Sequence, residues 1–295
     1  MRCLSSTRNK LIMLLPTLAV YIVYIIVPIF VAIFYSLTKY SGIGKPKFVG
    51  FKNYERLFSD PNFSVALKNT IILFVVAFVL LLFCSFLLAL LLDSKLKGST
   101  IAKSMIFSPA IIAPIIVGII WWFIFDPQIG FLNSLLTRVE NESGRTRWIG
   151  EEILAQYSIA FIYFWQQLGF ITTIFFAGLQ MIPNELFEAA AIDGANRFKK
   201  VIHITIPMLK ETIQIVVILI ITGCFKVFEI VLQLTNGGPN HLSEVLVTYT
   251  YLTTFKAGQY GYGMSMAVVT FLIAIMLSIG YILIPKGRKT AEGDM

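Results

Sequence analysis

Charge is scarce in this chain. Asp, Glu, Lys and Arg make up 14% of its 295 residues, against about a quarter in soluble globular proteins. With 57% hydrophobic residues and a mean hydropathy of +0.80, that scarcity excludes a water-soluble domain and leaves an integral membrane protein. Histidine is nearly absent, and neither His203 nor His241 has neighbours at metal-ligand spacing. Cys3, Cys84 and Cys224 stand far apart, the last two inside apolar runs, so no disulfide or thiol-metal pattern is available. A phosphate-binding loop is also missing, because Gly42-Ile43-Gly44-Lys45 lacks the Gly-x-x-x-x-Gly-Lys-Ser/Thr spacing. No nucleophile–base set or paired-carboxylate site is recognisable, so the chain is expected to be no enzyme and to bind no metal or cofactor itself. The net charge of +8 is spread over loops between apolar runs. That placement suits membrane topology and not nucleic acid.

What is present is apolar length. Six stretches are long enough to cross about 30 Å of hydrocarbon as helices. They fall near 11–37, 70–92, 104–125, 155–181, 208–234 and 262–284. An all-α membrane protein with six transmembrane helices in one domain over residues 1–295 is expected. The first stretch is too long for a signal-peptide core and lacks a cleavage site, so it reads as a retained signal-anchor helix. With both termini inside, 13 Lys and Arg residues fall on the inner side and 10 on the outer. Lys95, Lys97 and Lys103, and the tail Lys286, Arg288 and Lys289, are the compact basic segments that favour this orientation.

Polar residues inside the spans are costly in hydrocarbon and so mark protein-facing or wet positions. Trp165, Gln166 and Gln167 lie at mid-depth of the fourth span, and at least one carboxamide is expected to meet another helix or a wet cavity. In the fifth, Thr222, Lys226, Glu229, Gln233 and Asn236 recur at steps of four and three, which predicts one polar helical face. Lys226 and Glu229 are spaced to neutralise each other across one turn. This stripe is read as a wall of a translocation pathway, with a subunit contact as the alternative. The third span carries Pro109, Pro114 and Gly118 before Trp121 and Trp122, the last two placed for an outer aromatic belt. In the first outer loop, Tyr54, Leu57 and Phe58 are expected to face lipid from a surface helix.

Between the fourth and fifth spans, 183–207 is polar enough to be solvated. Leu186, Phe187, Ala190 and Ala191 gather on one face of a short helix that Asn184 can cap. Gly194 permits a turn, and a second short basic run follows, limited by Pro207. The pattern Glu188-Ala189-Ala190, Gly194, then Ile204-Thr205-Ile206-Pro207 resembles the EAA loop of ABC-importer permease subunits, with Ile206 where the family usually has Leu. Ala191-Ile192-Asp193-Gly194-Ala195 is similar to the sugar-importer branch. Gly50-Phe51-Lys52-Asn53-Tyr54, Thr235-Asn236-Gly237-Gly238-Pro239 and Gly261-Tyr262-Gly263 also resemble that branch.

This resemblance implies the type I ABC importer transmembrane fold of the carbohydrate (maltose-type) branch, in the cytoplasmic (inner) membrane. It implies a coupling role for Glu188, Ala189, Ala190, Asp193, Gly194, Ile204 and Pro207. The implied partners are a second, non-identical permease, two copies of an ABC ATPase that carry the ATP and Mg²⁺, and an extracytoplasmic solute-binding protein. Trp165, Gln166, Gln167, Lys226, Glu229, Gln233 and Asn236 are then candidates for the solute pathway. The rival reading is an ion-coupled secondary transporter that uses Lys226 and Glu229.

Overall fold

The computed structural model describes residues 7–93, 99–136, 147–150 and 152–283. Cys3, Lys95, Lys97, Lys286, Arg288 and Lys289, used above, lie outside them, as do Arg2, Arg138 and Arg145 of the charge count. In chain order, α1 (Thr7–Tyr21), a π-helical turn and α2 (Val27–Ser36) lead to a small hairpin, β1 (Thr38–Lys39) and β2 (Lys47–Phe48). Then come α3 (Lys52–Phe58), α4 (Pro61–Asp93), α5 (Ser99–Ile111), α6 (Pro114–Ile124), α7 (Phe131–Leu136) and α8 (Glu152–Gln180). The second half holds α9 (Asn184–Ile192), α10 (Arg197–Lys200), α11 (Ile206–Met208), α12 (Lys210–Cys224), α13 (Glu229–Leu234), α14 (Leu246–Tyr251) and α15 (Tyr260–Leu283).

Among the described residues, four helices are long and apolar enough to span: Met13–Ser36, Pro61–Asp93, Leu154–Gln180 and Tyr260–Leu283. The third expected span is broken, Ile101–Ile111 and Pro114–Ile124 meeting at 98°, and at the start of the fifth Lys210–Cys224 meets the preceding Arg197–Met208 segment at 70°. At the first break Pro114 forces Ala113 into an extended conformation (φ −57°, ψ 135°). Pro109 has no N–H for the Met105 carbonyl, and the Ser108 hydroxyl donates to that carbonyl instead, at 3.0 Å.

The described residues group into two compact units. In the unit formed by Met1–Phe63 and Tyr249–Leu272, β1 and β2 pair antiparallel, Thr38 opposite Phe48. The Asn53 amide donates to the carbonyls of Ser36 (2.7 Å) and Thr38 (2.9 Å), which pins α3 to the end of α2. This sets the face of α3 differently from the sequence expectation. Leu57 is fully buried and the Tyr54 hydroxyl bonds Ser36 Oγ at 2.7 Å, while Phe51 and Phe58 point outward. Asp60 closes the segment by accepting from the hydroxyls of Tyr249 and Tyr262, each at 2.6 Å.

In the unit formed by Ser64–Thr248 and Ile273–Met295, α8 is central, packing against α5, α6, α12 and α13. Leu81, Ile162, Phe175, Val216 and Ile220 form its dry core. Cys224 is buried and Cys84 half-buried, both as free thiols. The Asn69 amide donates to the carbonyls of Leu242 (2.7 Å) and Glu244 (2.9 Å), and Thr70 Oγ1 accepts from Leu246 N–H. These bonds hold the 235–246 loop to the start of α4.

Burial alone would raise the Asp60 carboxyl, but hydrogen bonds from Tyr249, Tyr262 and the N–H groups of Asn62 and Phe63 outweigh it and lower it below the ordinary 3.8. A depressed carboxylate contributes stability above its unfolded-state value and loses it as pH falls through the folded one. Asp60→Asn is therefore expected to cost about 1 kcal/mol at neutral pH, the value of a partly exposed charged hydrogen bond. Thermal unfolding in detergent should show that deficit narrowing as pH falls through the carboxylate range.

Candidate functional site

The break in the third span leaves the Ile112 carbonyl without a helical partner. Gln166, on α8 and 2% exposed, donates to it at 3.0 Å. One of the two expected carboxamides thus serves a neighbouring helix. The adjacent Gln167 is half-buried and borders a cavity of about 300 Å³. Tyr163, Phe170, Thr222, Lys226, Phe228 and Glu229 share the lining.

The fifth span departs from the expected continuous stripe. Helix α12 ends at Cys224, residues 225–228 are non-helical, and α13 starts at Glu229. Thr222, Lys226, Glu229, Gln233 and Asn236 therefore do not share one helical face. The cause lies in packing. At Gly223 a Cβ would collide with the Tyr163 hydroxyl, so the Tyr163 side chain of α8 abuts the α12 backbone there. Helix α13 is drawn against α6, where Gly118 lets the Gln233 side chain approach to 2.8 Å of the position a Cβ would occupy. Propensity without proline does not report such a break.

Around the cavity, Lys226 and Glu229 are exposed and form no ion pair with each other, which corrects the expected neutralisation. Thr222 Oγ1 donates back to the Ile218 carbonyl at 2.8 Å. Gln233 lies against α6, and Asn236 occupies a left-handed turn residue (φ 49°) beyond α13. Trp165 packs edge-on against Trp121 with ring centroids 5.5 Å apart. Trp121 also meets Phe125 and Phe161, so it turns inward and not into the expected belt, whereas Trp122 stays 41% exposed. Non-helical backbone at membrane depth is tolerated where it is buried in protein or lines a wet cavity. The two breaks facing this cavity meet that condition.

The 183–207 segment folds as expected into helix, turn, helix. Helix α9 ends in a left-handed Gly194 (φ 74°), with Ala195 N–H on the Ala190 carbonyl at 2.8 Å and Gly194 N–H on that of Ala191 at 3.1 Å. Its start differs: Pro183 stands at the cap with no side-chain hydrogen bond, and Asn184 is the first helical residue. Asn196, not singled out by the sequence, caps α10 by accepting from Lys199 N–H at 2.9 Å. The Lys200 ammonium donates to the Phe187 carbonyl at 2.9 Å and ties the two helices together. Of the predicted apolar face, Phe187 and Ala190 turn inward, while Leu186 and Ala191 are exposed. Ile204 and Phe187 rest on the core, and Pro207 lies in the short α11. Glu188, Ala189, Asp193 and Gly194 are solvent-exposed, and nothing lies within 4 Å of the place a Gly194 Cβ would take.

Residues 97–285 match the model of the binding-protein-dependent transport system inner membrane component. The chain belongs to that family. It is 36% identical over 278 residues to a probable ABC transporter permease protein, YurN, of Bacillus subtilis, covering 92% of this chain and 95% of that protein. It is 31% identical to the diacetylchitobiose uptake system permease protein NgcF of Streptomyces coelicolor, over 94% of this chain and 81% of the relative. The crystal structure of a bacterial alginate ABC transporter in complex with its alginate pentasaccharide-bound periplasmic protein has the same fold, with a TM-score of 0.78 over 93% of each chain at 22% identity. This ABC-importer permease subunit is a multi-pass membrane protein with the type I transmembrane fold, and it is not an enzyme. Family membership removes the ion-coupled secondary transporter reading.

Gln166→Leu strands the Ile112 carbonyl and is expected to cost about 1–3 kcal/mol. Gln167→Leu, which leaves no buried group unpaired, should stay within about 0.5 kcal/mol. Thermal unfolding of the two detergent-purified variants separates them.

Proposed function

We propose that this permease carries a sugar or oligosaccharide and takes its driving motion through the 183–207 hairpin. The observation that carries the coupling assignment is the apolar surface on that polar knuckle: Ile192 is 87% exposed, Phe198 72% and Leu186 41%. Exposed side chains of this size, grouped on one short element, fit a groove on a neighbouring protein. Glu188 and Gly194 sit among them, and the open space at Gly194 is room that a docked partner would occupy.

In this reading both termini and the hairpin are cytoplasmic. Two copies of an ABC ATPase hold ATP and Mg²⁺, and their closure pulls on the hairpin and on its counterpart in a second, non-identical permease. The spans rock in response and expose the pathway first outward, toward an extracytoplasmic solute-binding protein, then inward. The cavity bordered by Gln167, Lys226 and Glu229 forms part of this chain's half of the pathway, with Gln233 and Asn236 further along and Gln166 and Trp165 holding its wall. The Gln167 amide, Lys226 ammonium and Glu229 carboxylate beside Phe170 and Phe228 suit a hydroxyl-rich solute, which needs hydrogen-bond partners and apolar ring contacts together. The diacetylchitobiose permease among the relatives supports that solute class.

Gly194→Trp and Glu188→Lys should each lower uptake about tenfold or more, as loss of an interface hot spot does, while the subunit still inserts. Uptake into proteoliposomes is compared with ATP hydrolysis by the same complex, and wild-type coupling in both variants removes the assignment. Glu229→Ala or Lys226→Ala should change the KM for solute with ATPase docking intact. Unchanged kinetics in both would make those side chains packing residues only.

A further inference from the structure

A second cavity, of about 590 Å³, lies wholly within the unit that holds the β1–β2 hairpin, α3 and the start of α15. Lys39, Lys45, Lys47, Lys52 and Arg56 line it. The four lysines are exposed, and none has an acidic partner among the described residues. Arg56 is held in place, 2.7 Å from Gln259 Oε1 and 4.0 Å above the centre of the Tyr262 ring. The nearby Asp60 carboxylate is occupied by Tyr249 and Tyr262. Five cations around one concavity repel one another and are stabilised by an anion placed among them.

The position of the cavity identifies the anion. Lys39 follows the end of the first span at Ser36 by three residues, and Gln259 precedes the last span at Tyr260. The opening therefore sits where both helices leave the bilayer. Ile43, 89% exposed, is part of its lining, and Phe48 (69%), Phe51 (72%) and Phe58 (71%) are exposed on the same stretch of chain that supplies the lysines and Arg56. Large apolar side chains beside a cationic hollow match a headgroup with acyl chains and do not match a freely soluble anion or an acidic protein face. We propose that this cavity binds the phosphate headgroup of an anionic phospholipid in the leaflet where the first span ends. The fixed Arg56 fork faces the phosphate, the lysines surround it as mobile point charges, and Phe48, Phe51 and Phe58 lie against the acyl region.

The test uses the assembled transporter containing this chain, purified in detergent and measured by native mass spectrometry with phosphatidylglycerol or phosphatidylcholine. Phosphatidylglycerol should be retained selectively, and Lys45→Gln and Lys47→Gln should each cut its retention roughly fivefold, the effect of about one unit of interfacial charge. Lys45→Arg and Lys47→Arg should keep it. Inorganic phosphate should give no thermal protection, while phosphatidylglycerol should. Equal retention of both lipids, undiminished retention in the Gln variants, or equal protection by inorganic phosphate would each overturn the proposal. So would loss of solute-binding-protein association in the Gln variants with lipid retention unchanged. If the Gln variants do not assemble, retention in the wild-type complex must fall with rising salt, and salt-independent retention overturns it.

Discussion

The hydrogen bond from Gln166 to the Ile112 carbonyl is the contact on which the cavity depends. A span bent by 98° abandons helical bonds in a medium with no water to replace them, so the bend persists only if another part of the protein supplies a donor. Gln166 supplies it from a helix 54 residues further along the chain, and this fixes α5, α6 and α8 relative to one another. With α6 so placed, Gly118 admits α13 at close range, and the interruption between α12 and α13 faces the space that remains. Lys226 and Glu229 reach that space because the helix stops between Cys224 and Glu229.

The hairpin at 183–207 solves a different problem, that of a rigid shape outside the core. Its hydrogen bonds are local: the left-handed Gly194 closure, the Asn196 cap and the Lys200–Phe187 tie. Phe187 and Ile204 anchor it to the core from one side and leave Ile192 and Phe198 on the other. The proposed coupling role needs this division, since a knuckle that moved freely on its own stem would transmit no displacement to the spans.

Local rules and tertiary contacts divide the legible from the illegible. The hairpin was readable because glycine, charge and apolar spacing act within a turn or two of each other. Its cap was misplaced by one residue because Pro183 and Asn184 compete for the same position, and proline takes the boundary with its fixed φ. On α3 the periodicity announced an amphipathic helix, but Asn53 bonding to Ser36 and Thr38 chose which face turned inward. Trp121 was drawn into an aromatic cluster with Trp165 and Phe161 that no interval in the sequence could announce.

Composition and hydropathy alone determined that this chain lives in a membrane as a bundle of helices, because the transfer of apolar side chains is nearly additive along a segment. Motif spacing pointed to the family that the family model and the relatives show, because a tight turn favours glycine wherever it occurs. Tertiary structure alone decided where two spans break, which carboxamide faces a helix and which faces the cavity, and that Lys226 and Glu229 stand apart. Those outcomes depend on distant backbone groups finding partners in a medium without water, and such pairings leave no periodic trace in the residues that make them.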